Sequence, residues 1–101
     1  IRHGEILNRL SNVGKLKAVI VAGVFIQDWD SRVDLLIVGD GLKKSSVDSA
    51  VKIIESEIGR EINYAAFETS DFLYRFGICD KLIRDILDYP HEKILDKIGI
   101  R

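Results

Sequence analysis

Two apolar runs in the first half of the chain constrain the fold more than any other feature. The first, LKAVIVAGVFI at residues 16–26, is rich in β-branched side chains. The second, RVDLLIVG at residues 32–39, follows after the short polar segment QDWDS. An unbroken apolar run such as the first is typical of a strand buried on both faces of a sheet. We therefore predict a first strand buried on both faces and a second strand, joined by a turn or short loop.

Helical spacing dominates the next part of the chain. Apolar residues at positions 47, 50, 51, 54 and 58 form an i, i+3, i+4, i+7 stripe that ends at Gly59, and Ser45 or Ser46 can cap its start. The segment REINYAAF, residues 60–67, then predicts a third strand.

Short helical patterns precede the first strand and follow the third. After the third strand, Thr69 or Ser70 can cap one helix and Asp80 a second, which Pro90 stops. A last helical piece is predicted through residues 94–98. The main elements thus follow the order α-β-β-α-β-α-α. This order indicates an α/β (α+β) fold with a mixed sheet of three or more strands flanked by helices.

Size and charge limit the classes of protein to which this chain can belong. A chain of 101 residues with 47% hydrophobic and 31% charged residues suits one globular domain, and a net charge of −1 provides no field that would attract nucleic acid or an acidic membrane. The single cysteine, Cys79, fits a reducing, cytoplasmic compartment. Because the chain begins at Ile1 and has no methionine, we expect a domain excised from a longer protein.

The second predicted strand begins with Arg32, and Asp34 follows two positions later, so a basic and an acidic residue stand at a spacing of two. Residues i and i+2 of a strand share one face about 6.6–7 Å apart, so an acid–x–acid pair there can hold Mg²⁺ and orient a nucleoside triphosphate. Arg32 stands in the place of the first acid, and its guanidinium keeps its charge near neutral pH and repels a divalent cation. The pattern therefore predicts no working metal centre.

Several segments together resemble the minimal nucleotidyltransferases of the DNA polymerase β-like superfamily. They are AGVF, SRVDLLIVGD, EIGREINY and the helical DFLYRF and DKLIRDIL, which cover about residues 19–95. The resemblance implies a nucleotidyltransferase-like sheet whose catalytic residues meet at one end. It also implies a setting, because such domains often follow a winged-helix DNA-binding domain in prokaryotic transcriptional regulators.

The resemblance assigns five positions to the catalytic set, and most of them are degenerate. Gly23 matches the glycine of the family's Gly-Ser pair, but Val24 replaces the serine that would touch phosphate. Arg32 replaces the first metal-binding aspartate, Asp34 matches the second, and Asn63 stands where the third carboxylate would be. No catalytic residue, cofactor or metal is expected from this set, and Asp34 is the residue that would bind metal if the domain were active.

Two functions follow from this pattern. The first is a catalytically inactive module for regulation, ligand sensing or protein contact, which acts as a homodimer and reaches DNA only through a domain outside this chain. The second is an active minimal nucleotidyltransferase that uses Mg²⁺ and a nucleoside triphosphate and pairs with a helical protein partner, as in toxin–antitoxin modules. The pair Arg32 and Asn63 favours the first. Neither function involves a membrane.

Some residues leave alternatives open. Arg32 can bind phosphate or form a surface ion pair with Asp34 or Glu61, and the ion pair is favoured. Trp29 can anchor a partner or fold over its own sheet edge. Further expectations are a buried Cys79, solvated helical histidines at positions 3 and 91, a solvated turn at Lys43 and Lys44, and core packing across residues 72–76.

Overall fold

A computed structural model describes residues 2–100 of the chain. Within these residues the helices and strands follow the predicted order α-β-β-α-β-α-α, and one further strand follows the last helix. The elements are α1 (His3–Arg9), β1 (Lys15–Val21), β2 (Leu35–Asp40), α2 (Lys44–Ile58), β3 (Tyr64–Glu68), α3 (Thr69–Gly77), α4 (Lys81–Leu87) and β4 (Glu92–Asp96). None of the helices within residues 2–100 has the length and apolar character needed to cross a bilayer.

The four strands form one mixed sheet in the order β3-β2-β1-β4. β1 is antiparallel to both β2 and β4, whereas β2 and β3 run parallel. The parallel pair requires a crossover, and α2 provides it between β2 and β3, as predicted. The mixed α+β fold expected from the sequence is therefore confirmed.

The two apolar runs become the central strands because alternate side chains fill separate cores on the two faces of the sheet. On one face, Val19 of β1 and Ile37 of β2 pack with α1 and α2. On the other, Ile20 and Leu36 pack with α3 and α4. Fully burying a side chain of this size contributes about 1.5–3 kcal/mol. Burial on both faces, predicted for the first strand, is confirmed, and β2 is buried in the same way.

The crossover helix has the predicted apolar stripe and the predicted end. Val47, Ala50, Val51 and Ile54 are buried against the sheet, and the helix stops at Gly59, whose φ of 76° is left-handed. Its predicted start is wrong. The helix begins at Lys44, one residue before the expected serine caps, and no side chain caps it. The expected solvated turn at Lys43 and Lys44 thus holds only in part, because Lys44 is the first helical residue.

The start of α3 also differs from the prediction. Thr69 lies inside the helix and Glu68 takes the N-cap position without a side-chain cap. The Glu68 carboxylate instead accepts hydrogen bonds from the backbone N–H groups of Gly41 and Leu42, each at 2.9 Å, and so ties the turn after β2 to the end of β3. The predicted cap at Asp80 is confirmed, since its side chain accepts from Leu82 N–H at 3.1 Å.

The first three strands are shorter than the sequence segments that predicted them. β1 ends at Val21 because residues Gly23–Ile26 form a 3-10 helix. β2 begins at Leu35 instead of position 32, and β3 begins at Tyr64 instead of position 60. Apolar composition alone does not distinguish the residues of a strand from those of the turn next to it.

The last predicted helical piece is wrong, because residues Glu92–Asp96 form the edge strand β4 against β1. Ile94 and Leu95 pack on the core beneath α1 and α2, whereas Ile98 packs on the opposite core. The Asp96 carboxylate accepts hydrogen bonds from the N–H groups of residues 98, 99 and 100, so the chain turns there instead of continuing as a helix.

Candidate functional site

The candidate site lies at the end of the sheet where β1 stops and β2 and β3 begin, and the Asp34 side chain is at its centre. Asp34 is 5% exposed. Its Oδ1 accepts a hydrogen bond from Val24 N–H at 3.0 Å, and its Oδ2 accepts one from Asn63 N–H at 2.8 Å. One carboxylate therefore joins the end of β1 to the start of β3 across β2.

Backbone hydrogen bonds reinforce the same junction. Asp34 N–H donates to the Asn63 carbonyl at 2.7 Å, and Ala22 N–H donates to the Asp34 carbonyl at 2.9 Å. Asp34 and Asn63 were expected to approach each other at one end of the sheet, and this expectation is confirmed. The contacts of Asn63 run through its backbone, so the side chain that stands in place of a third carboxylate is not what holds the junction together.

Gly23 has a local structural reason to be glycine. Its φ is +52°, and an added Cβ would lie 1.9 Å from Asp34 Oδ1. The glycine therefore lets the backbone approach the carboxylate closely enough for Val24 N–H to donate to it. Val24 takes part through this N–H group, while its half-buried side chain packs on the core beneath α1 and α2.

Arg32 lies away from this junction. Its side chain is 74% exposed, and its guanidinium pairs with Asp85 of α4 at 3.8 Å. The expected ion pair with Asp34 or Glu61 is therefore wrong, although a surface ion pair does form. The reason is that β2 begins only at Leu35, so Arg32 and Asp34 do not share a strand face.

The loop before β2 and the start of α4 enclose an open, polar cleft of about 460 Å³. Arg32 lines it beside Lys81, which also pairs with Asp85 at 3.2 Å. The acids Asp28 and Asp30 line the same cleft, so charges of both signs face it. Asp28 and Asp30 lie in this loop and not on β2.

The residues at the junction do not fit the Mg²⁺ pair that the family resemblance implies. Mg²⁺ requires near-octahedral oxygen coordination, and the one carboxylate present already accepts an amide hydrogen bond at each oxygen. No group of three or more histidine, cysteine, aspartate or glutamate side chains is arranged to hold a metal within residues 2–100. The arrangement can hold strands together, but it offers no set of ligands for a divalent ion.

Trp29 was expected either to anchor a partner or to fold over its own sheet edge. Its side chain is 63% exposed and stacks with Arg60. The Arg60 guanidinium lies 4.8 Å from the ring centroid, within the range of a cation–π interaction. Arg60 follows α2, so this contact links the loop before β2 to the far end of the crossover helix.

The expectations for the second half of the chain hold in part. Cys79 was expected to be buried but is exposed, because it occupies the tight turn between α3 and α4 with a left-handed φ of 56°. Tyr74 is 67% exposed and so does not belong to the core. Arg75 lies 5.1 Å over the Phe67 ring and pairs with Asp71 and Asp80.

The two histidines make separate surface contacts. His3, in α1, lies 3.1 Å from Glu92 of β4. His91 precedes β4 and does not lie in a helix as expected, and its Nδ1 contacts the Tyr89 carbonyl at 2.8 Å.

A contact that the sequence did not reveal joins Tyr64 of β3 to Asp48 of α2. The tyrosine hydroxyl donates to the carboxylate. This hydrogen bond, with smaller effects from burial and nearby charge, raises the pKa of Tyr64 to about 12. The same hydrogen bond lowers the pKa of Asp48 below its ordinary 3.8. The i+4 spacing of Lys44 and Asp48 was readable from the sequence, but the tyrosine partner depends on the tertiary fold.

Comparisons with known proteins yield no match: no family model, no curated protein and no solved structure matches this chain.

The close approach at Gly23 predicts that Gly23→Ala destabilises the fold strongly. The left-handed φ would cost an alanine about 1–2 kcal/mol. Displacing the Asp34 carboxylate would leave a buried amide unsatisfied at about 1–3 kcal/mol more. Urea unfolding monitored by circular dichroism measures this loss. Gly77→Ala is the matched control, since nothing lies within 4 Å of the added Cβ at the end of α3 and the helix gains up to about 1 kcal/mol. Equal effects of the two substitutions would contradict the assignment.

The Tyr64–Asp48 hydrogen bond predicts a stability difference between the parent and Tyr64→Phe that depends on pH. Because folding raises the Tyr64 pKa from 10.0 to about 12, this contribution is full below pH 10 and is lost as pH rises toward 12. Because folding lowers the Asp48 pKa, the contribution also declines as pH falls below 3.8. Urea unfolding across this pH range measures the difference, with the exposed Tyr74→Phe as control. A difference that does not change with pH would refute the assignment.

Proposed function

We propose that this chain is a catalytically inactive nucleotidyltransferase-like module that acts through binding and contact. The observation that carries the proposal is the Asp34 carboxylate, whose two oxygens each accept a backbone hydrogen bond. In the family that the sequence resembles, the matching aspartate holds metal ions. Here, the same side chain serves the junction of three strands.

The position of the degenerate residues supports the nucleotidyltransferase-like part of the proposal. Gly23, Val24, Asp34 and Asn63 lie far apart in the sequence but meet at one end of the sheet. The topology of a strand, a second antiparallel strand, a crossover helix and a parallel third strand brings them there. A chance similarity of short apolar segments would not require this convergence.

The chemistry at the junction supports the inactive part. Each oxygen of Asp34 already accepts a partly buried amide, so a metal ion would have to share the carboxylate with the Val24 and Asn63 N–H groups. Arg32, in the place of the first metal-binding acid, pairs with Asp85 outside the junction and supplies no oxygen ligand. Both features act against binding of a divalent cation at the junction.

The module's setting follows from the family resemblance. We place it in the cytoplasm of a prokaryote as part of a transcriptional regulator, with DNA contacted by a domain outside this chain. The near-neutral charge of −1 fits a module that does not itself bind DNA. Large exposed apolar side chains, among them Trp29, Tyr74 and Ile78, suit a protein that acts through contacts.

Titration with MgATP and with MgGTP by calorimetry tests the proposal, and we expect no site tighter than the millimolar range. A second measurement compares melting temperatures with and without Mg²⁺ in the parent and in Arg32→Asp/Asn63→Asp. We expect the parent to be unchanged by Mg²⁺. We expect the double variant also to gain no stability from Mg²⁺, because Arg32 is exposed beside Asp85 and does not share a strand face with Asp34, so the new acid does not complete a metal site there. A bound metal would be visible, since a ligand of the native state stabilises by roughly 2.7 kcal/mol at a hundredfold excess over Kd.

Arg84→Asp/Asn12→Asp is the matched control, because it makes the same change in charge at exposed positions of α4 and of the turn after α1. A micromolar, Mg²⁺-dependent nucleotide site in the parent would overturn the inactive assignment in favour of an active nucleotidyltransferase. A double variant that gains more from Mg²⁺ than the control would show that position 32 reaches Asp34 and would overturn the placement of Arg32 away from the junction.

A further inference from the structure

The polar cleft between the loop before β2 and the start of α4 is separate from the Asp34 junction. Its volume of about 460 Å³ lies in the range of roughly 300–1,000 Å³ that is usual for small-ligand sites. Three acidic side chains, two basic side chains, Ser31 and Tyr89 line it, and Asp34 does not. The charged groups of this cleft are therefore additional to those that hold the strands together.

The two basic side chains of the cleft share one acidic partner. Arg32 Nη1 lies 3.8 Å and Lys81 Nζ 3.2 Å from the same oxygen, Asp85 Oδ2. Asp85 is partly buried, whereas both basic side chains are exposed and line the cleft. Because one carboxylate balances only one of the two cations, a net positive charge remains beside Asp85.

The other two acids of the cleft, Asp28 and Asp30, have no basic partner. Asp28 Oδ1 accepts a hydrogen bond from Asp30 N–H at 3.3 Å, which keeps the two residues close together. None of the ion pairs among residues 2–100 includes either carboxylate. Asp30 is only two positions from Arg32 in the chain, yet Arg32 pairs with Asp85. The cleft therefore has a negative region at Asp28 and Asp30 and a separate positive region at Arg32 and Lys81.

Hydrogen bonds to buried residues hold the loop that carries the negative region. Asp28 N–H donates to the Gly23 carbonyl at 2.9 Å, and the Ser31 hydroxyl donates to the Val33 carbonyl at 2.9 Å. Gly23 and Val33 are both buried, so the loop is fixed on each side of its acids. A fixed loop loses little conformational freedom when a ligand binds, which favours binding.

The two charged regions discriminate against ligands that carry charge of one sign. A phosphate or a dicarboxylate would be attracted by Arg32 and Lys81 but repelled by the unpaired acids of the loop. A diamine would meet the opposite conflict. A zwitterion, with one carboxylate and one ammonium group, is complementary to both regions.

Tyr89 adds an apolar surface to the cleft. Its side chain is exposed and lies just beyond the end of α4. An aromatic ring in this position can pack against an apolar side chain of a ligand. An apolar α-amino acid carries a carboxylate, an ammonium group and such a side chain on one carbon atom, and it is therefore the ligand class that matches the whole lining.

From these observations we infer that the cleft binds a free apolar α-amino acid. Its carboxylate lies at Arg32 and Lys81, its ammonium group at Asp28 and Asp30, and its side chain against the aromatic ring of the cleft. This inference names a ligand class for the module of the proposed function, and it rests on that proposal only in that the module acts through binding. The Asp34 junction takes no part, so binding of the amino acid requires no metal.

Isothermal titration calorimetry of the 101-residue chain with L-phenylalanine and with L-leucine tests the assignment. We expect both amino acids to bind. L-phenylalaninamide lacks the carboxylate and N-acetyl-L-phenylalanine lacks the ammonium group, and each should bind about tenfold or more weakly because a charge-assisted contact is lost. Absence of binding by both amino acids at millimolar concentration would overturn the inference. Equal affinities for L-phenylalanine and either derivative would also overturn it.

Two substitutions assign the two ends of the ligand. Arg32→Gln should weaken the binding of L-phenylalanine about tenfold but should not weaken the binding of L-phenylalaninamide, which has no carboxylate to lose. Asp30→Asn should weaken the binding of L-phenylalanine but not that of N-acetyl-L-phenylalanine. Arg84→Gln and Asp71→Asn are the matched controls, since they remove the same charges at exposed residues outside the cleft. If the cleft variants bind L-phenylalanine as tightly as the controls do, the placement of the ligand is wrong.

Titration of the same protein with MgATP and MgGTP separates this inference from the proposed function. Binding of the amino acids without a nucleotide site supports both. A micromolar, Mg²⁺-dependent nucleotide site would overturn the inactive assignment, whatever the amino acids do. Absence of binding by both the amino acids and the nucleotides would overturn the ligand class alone.

Discussion

The structure depends on a single buried carboxylate that accepts two backbone hydrogen bonds. Asp34 binds Val24 N–H with one oxygen and Asn63 N–H with the other, at 3.0 and 2.8 Å. A buried charge is tolerated only when its hydrogen bonds are made, so the carboxylate and the two amides each satisfy the needs of the other. Gly23 permits this arrangement because any side chain at that position would occupy the space of the carboxylate oxygen.

The junction at Asp34 affects both metal binding and the position at which β3 begins. It commits to structure the one acid that a nucleotidyltransferase would use for metal, and it leaves Arg32 to form an ion pair with Asp85 on the rim of a separate cleft. It also fixes the start of β3, which Asp48 holds a second time through the Tyr64 hydroxyl.

The sequence was informative where burial and local chemistry act in the same direction. The central strands, the crossover helix with its Gly59 end, and the Asp80 cap could be predicted because each has a local signal that the fold does not override. β4 could not be predicted, since its apolar residues also fit a helical spacing and only the free edge of β1 and the Asp96 turn decide between the two forms.

The site was predictable in its location but not in its chemistry. The resemblance to the nucleotidyltransferases implied that Asp34 and Asn63 meet at one end of the sheet, as observed. The partner of Arg32 depended on where β2 begins, which the apolar pattern does not reveal. The hydrogen bonds that occupy Asp34 come from backbone amides, which every residue except proline possesses, so no side-chain pattern could have indicated them.

Amide hydrogen exchange at Val24 and Asn63, measured by NMR with and without Mg²⁺, tests most directly whether Asp34 serves the fold or a metal. If the carboxylate holds these two amides, both exchange slowly in the parent, and millimolar Mg²⁺ leaves their exchange rates and chemical shifts unchanged. In Asp34→Asn one side-chain oxygen is replaced by a donor, so the amide that faced this oxygen loses its acceptor and should exchange faster. Fast exchange at these amides in the parent, or a Mg²⁺-induced loss of their protection, would contradict the account.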